Sequence, residues 1–191
     1  MTPEIALDVI WAVWAVSWFA AAFWSDRSAK RPGFGAELLY RVVTIAGAVL
    51  LFGVHHSERA ALPLWRVSRA EGWALCGTAT LGFLFCWWAR IHLGRLWSGW
   101  VTKKADHRIV DTGPYGIVRH PIYTGIILSA FATAALKGTA VGFAGAAIMT
   151  LGFWIKARLE ERFLRQELGA EAYDSYRRRV PMLVPFGPKA A

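Results

Sequence analysis

The chain has 191 residues, 55% of them hydrophobic, with eleven Trp, two Cys and a formal net charge of +9, which makes one domain by length but one far more apolar than a soluble globular protein. Lys and Arg sit mainly between and after the apolar runs, where membrane topology needs them, so the charge does not indicate a nucleic-acid partner. Cys76 and Cys86 are ten residues apart in one apolar segment, about 15 Å along a helix, which excludes a disulfide framework and a cysteine-based metal site.

Five apolar runs follow in order, near residues 5–24, 38–54, 72–89, 121–136 and 139–155. Each approaches the ~20 residues that cross ~30 Å of hydrocarbon, the last two being somewhat short. The expected architecture is an all-α, multi-pass integral membrane protein. It comprises one domain over residues 1–191 with about five transmembrane helices, a tight final helical hairpin and a cytoplasmic amphipathic C-terminal helix. The first run lacks the basic flank of a signal peptide and reads as a retained span. Its Trp11, Trp14 and Trp18 share one face and read as helix or lipid packing in preference to an isoprenoid groove. Arg27, Lys30 and Arg31, the six Lys and Arg from Arg90 to Arg119, and the basic tail fall on one side of a five-span chain. The positive-inside rule makes that side cytoplasmic. His55 and His56 match no metal spacing and read as solvated. Gly138, Gly142 and Ala146 recur every four residues, a spacing that suits close helix approach.

The stretch Asp111 to Gly125 is polar and turn-rich where an apolar run begins. Gly113 and Pro114 make a turn. Pro121 suits the first position of a helix, so the fourth run starts there and Arg119 and His120 lie at its N-terminus. Free N–H groups at such an end attract anions and acceptor-rich groups. A cation, an imidazole and the phenols Tyr115 and Tyr123 within about two turns exceed what packing needs. Beyond Ile155 the sequence turns basic and amphipathic, as a helix on an anionic leaflet does. Glu160 and Glu161 break that pattern, since carboxylates near a span end need a cationic partner or a ligand. For Glu161 both readings stand, because Arg165 four residues on supplies an ordinary helix pair.

Three blocks then carry a resemblance: LGRLWSG (93–99), HRIVDTGPYGIVRHPIYTG (107–125) and EERFLRQELGAEAYDSYRRRVPMLVP (160–185). In these the chain resembles the isoprenylcysteine carboxyl methyltransferase family and its wider relatives, the phospholipid N-methyltransferases. The resemblance implies a site for S-adenosyl-L-methionine in the half from 93 to 185. His107, Arg108, Ile109 and Val110 would line the cofactor, Tyr115 would follow at the turn, and His120, Pro121, Ile122 and Tyr123 would meet it at the helix start. Glu160 would hold its methionine ammonium, with Glu161 as the other candidate. Lys156 stands where the family has an acceptor-contacting Arg, with Arg158 as the alternative counterpart and Arg119 as a further site cation. Trp100 stands where some members have Gln.

The activity implied is methyl transfer to a lipophilic acceptor that enters from the bilayer at the cytoplasmic face. A carboxylate such as that of isoprenylcysteine is the first choice; a phospholipid amine or a thiol is the alternative. An NADPH-dependent sterol-reductase-like enzyme and a non-catalytic membrane scaffold are the competing classes. Membrane lipids are expected partners and nucleic acid and metal are not, while the sequence leaves oligomeric state open.

Overall fold

The computed structural model describes residues 1–21, 34–53, 64–94 and 109–189. His107, Arg108, Trp100, His55, His56 and the Arg27, Lys30, Arg31 group lie outside the described residues. Every regular element among those described is helical: α1 (Pro3–Ala20), α2 (Phe34–Gly53), α3 (Arg69–Leu93), α4 (Pro114–Ile117), α5 (Pro121–Lys137), α6 (Ala140–Leu168) and α7 (Ala170–Arg179). Of these, α1, α3 and α6 are long and apolar enough to cross a membrane, and α5 is a shorter apolar helix of 17 residues.

The helix ends follow local chemistry. Ser68 and Glu71 close a reciprocal capping box at the start of α3, the Glu71 N–H donating to Ser68 Oγ and the Ser68 N–H to Glu71 Oε2. Pro121 opens α5 at a position where a missing N–H costs nothing. Gly138 ends it in the left-handed conformation at φ 63°, and its N–H donates to Ala134 O. Thr139 then caps α6 by accepting from the Gly142 N–H at 3.1 Å. The basic amphipathic stretch after residue 155 is not a separate element, since α6 runs unbroken to Leu168.

Two helix pairs build the body. α2 packs against α6 and α3 against α5, the α5–α6 hairpin joins the pairs, and α1 rests on α3. The core at their junction contains Leu51, Phe83, Cys86, Ile126, Ala146 and Met149. The tryptophan face of α1 closes over it. Trp11 meets Phe52 and Phe83 edge-on, Trp14 stacks on Phe83 at 4.7 Å, and Trp11 Nε1 donates to Thr133 Oγ1. That stripe is helix packing.

Close backbone approach depends on small residues at positions other than the every-fourth pattern alone suggests. A Cβ on Gly125 would lie 2.3 Å from Gly82 O, whereas one on Gly77 would meet nothing within 4 Å. Gly125→Val is therefore expected to destabilise the fold by about 3 kcal/mol or more, because backbone cannot move aside as a side chain can. Thermal melting in detergent checks this, with Gly77→Ala as the control that should melt like the parent.

Candidate active site

The site forms where the start of α5, the middle of α6 and the segment after α7 meet. Its frame is backbone. The Arg119 N–H donates to Pro181 O at 2.8 Å, the His120 N–H to Met182 O at 3.1 Å, and Thr124 Oγ1 lies 2.6 Å from Leu183 O. Amides at the entrance of α5 that the helix cannot satisfy are thus satisfied by the chain after α7. Tyr176 on α7 reaches back to the turn and donates to Tyr115 O at 2.7 Å. Burial pushes the pKa of Tyr115 up.

Within this frame two adjacent carboxylates of α6 face different ways. Glu161, 4% exposed, accepts from Arg119 Nε at 2.7 Å and lies 3.2 Å from His120 Nε2 through the same oxygen. Arg119 Nη1 also donates to Arg177 O at 3.0 Å and to Val180 O. The Arg119 guanidinium is therefore spent on protein partners. Arg177 Nε is 3.3 Å from Glu161 Oε2, close enough for charge pairing, yet it is buried without an aligned hydrogen bond.

Glu160 turns toward the aromatic side. It accepts from the Tyr123 hydroxyl at 2.7 Å and lies 3.5 Å from His120 Nδ1 and 4.0 Å from Lys156 Nζ. The His120 and Tyr123 rings are stacked within 5° of parallel, and Phe153 stacks on the far face of that group with its ring centre 5.1 Å from Tyr123. Lys156 Nζ sits between two phenols, 5.2 Å from the Tyr123 ring centre and 5.5 Å from that of Tyr40.

His120 has one ring nitrogen toward each carboxylate, an arrangement that both nitrogens satisfy only when both carry protons. Burial alone would push its pKa down, but the hydrogen bonds and charges of Glu160 and Glu161 outweigh that and hold it above the ordinary 6.5. The stabilisation from a charged His120 is then fully present below pH about 6.5 and is lost as pH rises through the raised folded-state value. The thermal midpoint should fall across that rise, and the fall should be absent in His120→Asn.

The structure brings together Tyr123, His120, Glu160, Glu161, Arg119 and Lys156 of the residues expected from sequence. Pro121 is buried at the helix start beside them. Ile122 packs on the central core, and Ile109 packs on the Tyr173, Tyr176 and Val180 cluster under α7. Val110 is half-buried, and Arg158 is exposed with its guanidinium over Trp154 at 5.2 Å. Sequence reasoning missed Tyr40 and Arg177. Arg177 falls within the motif block after Glu160, whereas Tyr40 has no signal beyond lying on an apolar run.

The description of the isoprenylcysteine carboxyl methyltransferase family matches residues 75–166. Methanethiol S-methyltransferase 2 of Bradyrhizobium diazoefficiens is 33% identical over 153 residues, covering 75% of this chain and 58% of that protein. The protein-S-isoprenylcysteine O-methyltransferase of Schizosaccharomyces pombe is 32% identical over 122 residues, 58% of this chain and 50% of its own length. The cobalt-zinc-cadmium resistance protein CzcN of Cupriavidus metallidurans is 31% identical over 150 residues, 75% of this chain and 60% of that protein. The chain thus spans between half and three fifths of the length of these relatives. Arg119, His120, Tyr123, Lys156, Glu160 and Glu161 all fall inside the matched segment, which covers just under half of the chain and carries its similarity to the isoprenylcysteine carboxyl methyltransferase family.

Proposed function

We propose that this protein is a multi-pass membrane methyltransferase that uses S-adenosyl-L-methionine to methylate a lipophilic acceptor reached from the bilayer at the cytoplasmic face. The observation that carries the reading is the convergence of Glu160 with Tyr123 and His120, residues about forty positions apart that share one buried cluster.

The donor set fits the cofactor. Glu160 offers a carboxylate to an ammonium group, Arg177 Nε, 3.3 Å from Glu161 Oε2, is a buried donor without an aligned hydrogen bond, and the stacked Tyr123 and Phe153 rings offer flat aromatic faces. Pro121 and Ile122 at the helix start, with Tyr115, Ile109 and Val110 on the approach, are proposed as its further surroundings, and Glu161 as the residue that fixes His120 and Arg119. When bound, the cofactor supplies an electrophilic methyl group on a sulfonium. The protein's own part is alignment and exclusion of water. Lys156, half-buried among aromatic rings, is placed to hold an anionic acceptor atom. A poorly hydrated site favours reaction between opposite charges because desolvation costs the separated ions more than the transition state.

A carboxylate such as that of isoprenylcysteine is the acceptor that Lys156, half-buried beside the cluster, supports best. A thiol is the second reading, supported by the methanethiol S-methyltransferase among the chain's relatives. The test is transfer of a labelled methyl group by purified protein to prenylcysteine analogues and to alkyl thiols. Base-labile label marks an ester and stable label a thioether. Failure to bind S-adenosylhomocysteine in calorimetry, with NADPH bound in its place, would move the protein to the reductase class.

A further inference from the structure

Beyond the segment that closes the α5 entrance the chain makes one more turn, Val184 to Gly187, in which the Gly187 N–H donates to Val184 O at 2.9 Å. Pro185 suits the second position of such a turn, and the third, where φ is positive, ordinarily takes glycine or asparagine. Here the third position is Phe186, at φ 61°, and the glycine comes one residue later. Among the described residues Phe186 is the only non-glycine residue with a positive φ. A left-handed backbone under so large a side chain is strained.

Packing within the chain does not offset that strain. The Phe186 ring is 99% exposed, Val184 is 65% exposed, and Pro185 and Pro188 are exposed beside them. A lone exposed apolar side chain needs no explanation, but a strained one among exposed apolar neighbours does. Hydrogen bonds set the level of this turn. Met182 O accepts from the His120 N–H and Leu183 O from Thr124 Oγ1, so residue 183 stands beside the first turn of α5. With 17 residues, α5 is about 25 Å long, less than the ~30 Å of bilayer hydrocarbon, so its first turn cannot stand clear of the interface once the helix lies in a bilayer. Phe186, three residues past Leu183, is within about 10 Å of that level even for extended chain. Arg178 and Lys189, exposed on either side of the turn in the chain, complement an anionic leaflet.

We propose that the turn from Val184 to Gly187 is an interfacial anchor whose partner is the lipid bilayer, with the Phe186 ring seated at the boundary between head groups and acyl chains. Transfer of the ring and of Val184 from water to that boundary offsets the strained turn and holds residues 177 to 183 against the α5 entrance. The inference rests on the proposed function only in placing the start of α5 at a bilayer face.

The test attaches a nitroxide to Phe186→Cys and to Glu171→Cys, an exposed position on α7, in nanodiscs of phosphatidylcholine and phosphatidylglycerol. Cys76 and Cys86 are buried, and wild type carried through the same labelling measures what they take up. Power-saturation EPR then compares collision with oxygen, which concentrates in lipid, and with a nickel chelate, which stays in water. Oxygen is expected to dominate at position 186 and the chelate at position 171. A chelate-dominated signal at 186 leaves the ring in water and overturns the proposal. A signal shielded from both reagents puts protein over the turn, from this chain or a second copy, and overturns it too. Phe186→Asp supplies a second readout, since a side chain 99% exposed has no packing to lose. Trypsin cleavage at Arg177 to Arg179 in nanodiscs should accelerate about tenfold in Phe186→Asp, as loss of most of one seated aromatic ring implies, and hold near the wild-type rate in Phe186→Trp. Equal rates in all three proteins overturn the anchor. S-adenosylhomocysteine calorimetry on the same samples separates the two readings: cofactor binding with the turn in water sinks only the anchor, and a seated turn without cofactor binding sinks only the methyltransferase.

Discussion

Glu160→Gln is expected to weaken S-adenosylhomocysteine binding by roughly 30- to 1000-fold, the equivalent of about 2 to 4 kcal/mol for a charge-assisted hydrogen bond lost in a semi-dry site. The side chain keeps its shape and can still accept from the Tyr123 hydroxyl, so the loss reads the charge rather than the packing. Lys156→Ala is expected to have a small effect on that binding and a large one on turnover at sub-saturating acceptor. The two residues are not independent, because Lys156 Nζ is 4.0 Å from Glu160 Oε1. The double variant should therefore lose less than the sum of the singles. Calorimetry on the four proteins, with circular dichroism to confirm folding, settles the roles. Equal loss in both single variants means that Lys156 serves the cofactor side as well.

Arg119→Ala is expected to cost about 3 to 5 kcal/mol of stability, the range for removing one partner of a buried ion pair. The cost has two sources. Glu161 keeps His120 and Arg177 but loses its shortest contact, and the carbonyls of Arg177 and Val180 lose a shared donor. The segment after α7 should then leave the start of α5. Trypsin cleavage at Arg177 to Arg179 is the direct readout and should accelerate well before global unfolding. Asp111→Asn is the comparison: its pair with Arg179 is largely exposed, 60% on the arginine side, and its loss should cost less than about 1 kcal/mol. Comparable cleavage rates in the two variants would refute a structural role for Arg119.

Much of the site was legible because its parts are punctuated by residues with strong local preferences. Pro121 announces the start of α5, Gly138 its end, and the pair Glu160 and Glu161 stands out against a basic helix. The meeting of Glu160 with His120 follows from the resemblance, since nothing in the spacing of residues forty apart specifies it. Arg119 was legible as a cation at the right place but not as one occupied by main-chain carbonyls, because those carbonyls belong to a segment about sixty residues later. The contribution of α2 was not legible at all. The apolar run read as beginning after Glu37, and one carboxylate at a span end looks the same whether it faces water or an adjoining helix. Only the contacts of Gly47 with Gly145 and of Thr44 with Gly152 fix which face of α2 meets α6, and small residues on apolar helices do not name their partners.

The dependence of the α5 entrance on residues 177 to 183 also imposes an order in time. Arg119 and its carbonyl partners are separated by 58 and 61 residues. At ~5–20 residues per second of translation, roughly 3 to 12 s pass between synthesis of the guanidinium and of the groups that will hold it. During that interval Arg119 has only water or, once it emerges, Glu161 as a partner. A nascent chain arrested just before Arg177 is thus an assembly intermediate in which α5 and α6 are complete and the Arg119 cluster is still unlatched.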